Sequence, residues 1–153
     1  MVTFASSPAN QTGNSQRHGW EMSMDTAVNE QLSVTAHWNF LHSRDADARE
    51  ETRRPEKSGS VSFHYASIND QGRVSLQVMH NGKNQDIEFI SSTIQDRVTL
   101  GSYTLVNLTA SYDLKPKITL YLRGENLLDD DYQEVFGYQA PGIGVYAGLK
   151  ARF

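Results

Sequence analysis

Between Tyr103 and Leu114 the side chains alternate in character at every step. Thr104, Val106, Leu108, Ala110, Tyr112 and Leu114 fall on one side, and Tyr103, Leu105, Asn107, Thr109, Ser111 and Asp113 on the other. A period of two is the geometry of a strand, whose successive Cβ atoms point to opposite faces; a helix would smear the same residues around its circumference. The pattern recurs along the chain. Trp20, Met22, Met24 and Val28 alternate with Glu21, Ser23, Asp25 and Ala27; Leu32, Val34, Ala36, Trp38 and Phe40 with Ser33, Thr35, His37 and Asn39. Val61, Phe63 and Tyr65 alternate with Ser60, Ser62 and His64; Ile118, Leu120 and Leu122 with Thr119, Tyr121 and Arg123. At the end, Val145, Ala147, Leu149, Ala151 and Phe153 oppose Tyr146, Gly148, Lys150 and Arg152. Eight strands are expected, near 1–6, 18–28, 31–42, 58–68, 72–81, 102–114, 117–128 and 144–153. Asp45 to Glu56 is charged and carries no apolar stripe, so no helix is expected there.

The connections carry a second pattern. Asn29-Glu30-Gln31, Asn69-Asp70-Gln71-Gly72 and Leu114-Lys115-Pro116-Lys117 have the composition of tight turns. Long polar segments at 7–17, 43–57, 82–101 and 129–143 separate them, and short and long connections alternate strictly. An up-and-down membrane barrel segregates its connections in this way, with short turns at one rim and long loops at the other. Hydropathy does not oppose this reading. Only 38% of residues are hydrophobic and no run reaches the ~18 apolar residues of a spanning helix, but a barrel strand needs apolar side chains only at alternate positions. The expected fold class is therefore all-β, an antiparallel up-and-down transmembrane β-barrel segment of about eight strands. A net charge of −4 argues against a nucleic-acid partner. Without cysteine there is no disulfide framework and no thiolate metal site. Met1-Val2-Thr3-Phe4 has neither a basic n-region nor an apolar h-region, which suits a cytosolic protein or a piece whose own start has been removed.

Arg123-Gly124-Glu125-Asn126-Leu127-Leu128-Asp129-Asp130-Asp131-Tyr132 resembles the penultimate-strand signature of TonB-dependent outer-membrane receptors, an Asn-Leu-Phe-Asp-x-x-Tyr pattern. The matching positions are Asn126, Leu127, Asp129 and Tyr132, with Leu128 where the pattern has Phe. Gly137-Tyr138-Gln139-Ala140-Pro141-Gly142 and the final strand to Phe153 are similar to the family's usual ending. Arg53-Arg54-Pro55 resembles its Arg-x-Pro strand opening, and His18-Gly19-Trp20-Glu21-Met22 its Arg-Gly-x-Glu strand entry, with His18 in place of Arg. The wording at 133–138 is nearest to the cobalamin-receptor branch. The resemblance implies a 22-stranded barrel filled by an amino-terminal plug, importing ferric siderophore or cobalamin with energy relayed by TonB. It further implies that residues 1–153 are the carboxy-terminal barrel portion, without the plug, in the outer membrane of a Gram-negative bacterium. Its partners would be outer-membrane lipid, the plug and remaining strands, the outer-membrane assembly machinery and, only through the plug, TonB.

Several residues have chemistry to weigh. Trp20, Trp38 and Tyr112 suit interfacial girdles, where a ring's body meets lipid and its polar tip meets water; ordinary core aromatics are the plainer alternative. Tyr146 and the terminal Phe153 are the expected assembly signal of the last strand. Asp129-Asp130-Asp131 could attract a hard cation, yet it lacks the spaced ligands of a calcium loop and reads better as a solvated loop. His37 and His64 fall on the wet face, and His42 and His80 near the rims, without a spacing that suggests a metal site. Gly142-Ile143-Gly144 lacks the context of a nucleotide loop, and Asn107-Leu108-Thr109 is a sequon by chance in mid-strand. No nucleophile and base are paired, so neither an enzyme nor a cofactor is expected. Arg123, Glu125, Asp113, Lys150 and Arg152 face the wet side, where charges should pair with one another or with a plug. Two other functions stay open on the residues alone: a soluble lipocalin-like barrel with its apolar faces turned in around a ligand, and a small structural outer-membrane barrel.

Overall fold

The computed structural model describes residues 13–90 and 94–152. Eleven strands follow one another: β1 (Gln16–Ala27), β2 (Leu32–Arg44), β3 (Lys57–Ala66), β4 (Gly72–Asn81), β5 (Asn84–Phe89), β6 (Gln95–Leu100), β7 (Tyr103–Lys115), β8 (Ile118–Glu125), β9 (Gln133–Val135), β10 (Tyr138–Gln139) and β11 (Gly144–Ala151). Seven form one sheet in the order β1-β2-β3-β4-β7-β8-β11. Every ladder in it is antiparallel, and the described residues contain no helix. The meander is open, with β1 and β11 at its edges.

Register carries the alternation from strand to strand. Met24 pairs with Ala36, Ala36 with Val61, Val61 with Val78, and Val78 with Val106. Further along, Ala110 pairs with Leu122 and Leu122 with Ala147. On the other face Asp25, Thr35, Ser62, Gln77 and Asn107 form a matching polar row. A slip of one residue anywhere would exchange the faces, so the pattern itself holds the register. The apolar face is uncovered: Trp20 is 78% exposed, Met22 63% and Leu149 60%. Only Leu100, Tyr103 and Leu105 are buried apolar side chains among the described residues. Three side chains cannot offset an ordering cost of ~1–2 kcal/mol per residue. The apolar face must therefore be covered by something other than this sheet.

The turns divide as the sequence predicts. At one rim, Asn29 Oδ1 accepts the N–H groups of Gln31 and Leu32, both at 2.9 Å, and closes β1–β2. Asp70, at φ 57°, closes β3–β4 in the left-handed region that Asp tolerates. Pro116-Lys117 closes β7–β8 after a bulge at Asp113/Lys115. All three long connections lie at the other rim, after β2, β4 and β8.

Two expectations need correction there. The polar segments 82–101 and 129–143 are not plain loops: the first contains the β5–β6 hairpin and the second the small β9–β10 pair. Alternation is too short, and too mixed with charge, to stand out in pieces of two to six residues. The seventh expected strand ends at Glu125 rather than 128, because Asn126 turns left-handed (φ 46°). The expected strand at 1–6 lies outside the described residues.

Candidate functional site: the long-loop rim and the two faces

The long connections are tied to one another by side chains. Asp86 on β5 is 1% exposed. Its Oδ1 accepts from Arg53 Nε at 2.9 Å and its Oδ2 from the Phe136 N–H at 2.7 Å. One carboxylate thus joins the β2–β3 loop, the β5–β6 hairpin and the β8–β11 loop. Burial pushes the Asp86 carboxyl up, but the N–H groups of Phe136 and Ile87 and the Arg53 guanidinium outweigh it, and the net displacement is downward. Arg53 (φ 57°) also donates its N–H to Gln85 O at 2.7 Å, beside a Thr52↔Gln85 bridge.

Three further arginines fasten the same loop. Arg17 grips Glu51 side-on, at 2.7 and 2.9 Å, and Arg54 reaches the same carboxylate at 2.9 Å. The Arg17 hydrogen bond holds the Glu51 carboxyl below its ordinary value. Arg97 on β6 donates to Glu50 O at 2.7 Å and Asp45 Oδ2 at 3.3 Å. Asp45 is itself lowered, chiefly by the Arg49 N–H.

The Asn126-Leu127-Leu128-Asp129-x-x-Tyr132 stretch is a second knot. Asn126 and Asp129 both take positive φ, 46° and 52°, which reverses the chain at the end of β8. Asn126 is buried and fully used. Its N–H donates to Asn107 Oδ1 (3.0 Å), its Nδ2 to Asp130 O (3.0 Å) and Pro141 O (3.3 Å), and its Oδ1 accepts from Asp130 N (3.0 Å). Asp129 Oδ1 accepts from Ile143 N at 2.8 Å, where the chain enters β11. Leu127 packs against Gly124 on the outer face, while Leu128 is exposed. Tyr132 stacks on Tyr103 at 4.3 Å between ring centroids. The β8–β11 loop thereby folds back over the wet face, where Tyr132 covers Tyr103; Tyr103 and Leu105 are both buried.

Asp129-Asp130-Asp131 is not simply solvated. Asp129 and Asp130 accept backbone N–H groups, the latter from Thr104 at 2.9 Å, and Asp131 faces Gln139 Nε2 at 3.4 Å. The histidines do not converge. His64 meets Ser75 and His80 meets Thr104, each at 2.9 Å, while His18 lies against His42. No group of three or more His, Asp or Glu among the described residues is arranged to hold a metal ion.

The aromatics named from sequence lie on the apolar face at its two ends. Trp20 pairs with Phe40 near the long-loop rim, and Trp38 lies 6.0 Å from Phe40. The Trp38 ring covers Gly59 so closely that a Cβ there would come within 2.0 Å of Trp38 Cε3. Tyr112 pairs with Gly72 near the short-turn rim. Along β2, the levels of Phe40 and Leu32 are about 27 Å apart, which a tilt near 40° reduces to about 21 Å of height, close to the ~25 Å apolar band of membrane barrels. Tyr146 lies half-exposed on the wet face, opposite Arg123 and folded back over Gly144. Phe153 lies outside the described residues. Of the wet-face charges, Arg123 pairs with Glu125 and Asp113 accepts from the Thr119 hydroxyl at 2.5 Å.

A model of the TonB dependent receptor-like β-barrel matches residues 2–127. The chain belongs to this family of TonB-dependent receptors. Membership places it in the outer membrane of Gram-negative bacteria. The vitamin B12 transporter BtuB of Vibrio cholerae serotype O1 is 27% identical over 145 residues, covering 94% of this chain and 23% of the relative. The chain therefore spans about a quarter of the length of the curated relatives it matches. Its fold is similar to that of the ferripyoverdine receptor of the Pseudomonas aeruginosa outer membrane (TM-score 0.75, 16% identity, 90% of this chain and 19% of that one). It is equally similar to the ferric-catecholate import receptor Fiu of E. coli (0.75, 16%, 94% and 22%). The copper transporter OprC gives 0.68 at 14% identity, over 91% of this chain and 24% of that one.

Proposed function

We propose that residues 1–153 are a carboxy-terminal wall segment of an outer-membrane receptor that takes up ferric siderophore or cobalamin with energy relayed by TonB. The observation that carries this reading is the single apolar face running through all seven strands, with no second layer of the described residues packed across it. Lipid satisfies it, and the polar face becomes the wall of a lumen. The soluble-barrel alternative requires the reverse, a hollow lined by the apolar face. A concavity of about 1040 Å³ instead lies over Ser33, His64, Ser75, Thr109 and Arg123 of the polar face. Vitamin B12, the cargo of the Vibrio cholerae relative, and ferripyoverdine, bound by the Pseudomonas aeruginosa receptor, support a cargo of that class. In this role Trp20, Trp38 and Tyr112 are the interfacial girdles. The Asn126–Tyr132 knot shapes the last external loop, and Tyr146 and Phe153 belong to the strand that the assembly machinery reads. The part played here is recognition and passage, with no chemistry done on the cargo. The test is uptake of labelled cobalamin and of ferric siderophores by cells expressing the full-length protein. Uptake of one of these that requires both the protein and TonB is expected. A protein recovered from the soluble fraction, with no TonB-dependent uptake, would overturn the reading.

A further inference from the structure

On the wet face, at the short-turn rim, the charge of the molecule inverts. A hollow of about 610 Å³ there is lined by Arg73, Lys115, Lys117, Lys150 and Arg152, with Asp70 and Asp113 as its carboxylates. Five cations against two anions leave a local net of +3 in a chain whose overall charge is −4. The carboxylates do not neutralise them: Asp70 only approaches Arg73, at 3.9 Å, and Asp113 accepts from Thr119. Lys115, Lys117, Lys150 and Arg152 make no ion pair with any described residue. We infer that this hollow is a docking surface for an acidic polypeptide segment lying in the lumen at the short-turn rim. The inference rests on the wall reading above, and it adds the chemistry of what that wall holds.

Geometry selects a polypeptide. The cations run from Arg73 on β4 through Lys115 on β7 and Lys117 in the β7–β8 turn to Lys150 on β11, across three strand spacings and so about 14 Å at ~4.8 Å each. One phosphate or carboxylate reaches two of them at most, whereas a segment with several Asp or Glu residues matches the row. Lipid is on the wrong side, because Leu120, Leu122 and Leu149 occupy the opposite face of the same strands. Complementary charge of this kind fixes register and excludes wrong partners more than it adds raw affinity.

The test places the photo-cross-linking residue p-benzoylphenylalanine at Ser111, which lines the hollow and leaves every cation intact, in the full-length protein in outer membranes. The expected product is an adduct on a polypeptide segment carrying at least two carboxylates within about six residues. Its yield should fall severalfold in Lys117→Glu/Lys150→Glu/Arg152→Glu and when salt is raised from about 0.1 M to about 1 M, where the Debye length contracts from about 10 Å to about 3 Å. An adduct on lipid alone, no adduct, an adduct on a segment without carboxylates, or a yield indifferent to both charge reversal and salt would overturn the inference. Heat-modifiable migration of the same samples reads the barrel separately. Its presence with a failed cross-link sinks the docking surface alone, and its loss in otherwise wild-type protein sinks the wall reading and the docking surface together.

Discussion

Replacing Asp86 with Ala should loosen the Phe136 segment of the β8–β11 loop from the other two long connections while leaving the sheet intact; the β2–β3 loop stays tied to the β5–β6 hairpin by Arg97 and by the Arg53 N–H on Gln85 O. The carboxylate accepts the Phe136 N–H at 2.7 Å and the Arg53 Nε at 2.9 Å, and is 1% exposed. A hydrogen bond to a charged group contributes about 1.5–3 kcal/mol. The Arg53 side chain is 52% exposed, so water replaces most of what it loses and its share is at most about 1 kcal/mol. The Phe136 N–H, held by a buried acceptor, supplies the larger part. The two together give about 3 kcal/mol of local stability, or roughly a hundredfold in the opening equilibrium at 1.4 kcal/mol per factor of ten. Amide hydrogen exchange read by mass spectrometry should show that loss of protection in peptides covering 130–140, with β3, β4 and β7 unchanged. Asp86→Asn, which keeps one acceptor, should fall between. The pH dependence has a definite sign. The folded pKa lies below the ordinary carboxylate value, so the contribution is fully present above about pH 4 and disappears as pH falls through the lower folded value. Protection at Phe136 should be flat from pH 7 to 5 and drop in more acidic solution. Unchanged exchange at Phe136 in Asp86→Ala would refute the shared-carboxylate account.

Gly59→Ala places a methyl group within 2.0 Å of Trp38 Cε3, so it should displace the ring, shift its fluorescence and lower the temperature of heat modification by several degrees; an unaltered spectrum would contradict the packing. Asn126→Ala removes three side-chain hydrogen bonds from a buried, left-handed residue and should cost about 2–4 kcal/mol, seen as proteolytic cleavage within 126–143 at protease levels that spare the parent protein. Phe153→Ser, in the full-length protein, should leave synthesis intact and slow the appearance of the heat-modifiable form in outer membranes; equal insertion kinetics would leave Phe153 without a signalling role.

What was legible in the sequence was whatever repeats with period two over eight residues or more. Val61, Val78 and Val106 lie in one row because each strand alternates faithfully, and the turns at Asn29, Asp70 and Pro116 carry their own chemistry. The two-length segregation of the connections was readable for the same reason. The contents of the long connections were not. The β5–β6 hairpin has only Ile87 and Phe89 alternating against Glu88, and Val98 and Leu100 against Arg97 and Thr99, signals as short as chance. Asp86 is surrounded in sequence by Asn84, Gln85 and Glu88, so nothing in its neighbourhood distinguishes it from a solvated acid. Its importance comes from Arg53 and Phe136, 33 and 50 residues away. Asn126 and Asp129 were visible as a family-like pattern, but the reason for those residue types appeared only with their positive φ and their backbone partners.

The central claim is that one face of this sheet meets lipid and the other a lumen. Spin labels placed singly from 104 to 112 along β7, in the full-length protein in bilayers, test it most directly. Accessibility to oxygen, which concentrates in lipid, should peak at 104, 106, 108, 110 and 112. Accessibility to a water-soluble nickel reagent should stay low at those sites and be higher at 109, beyond the cover of the β8–β11 loop and outside the hollow at the short-turn rim. The account predicts this sawtooth of period two. Nickel accessibility at 106, 108 and 110 equal to that at 109 would contradict it.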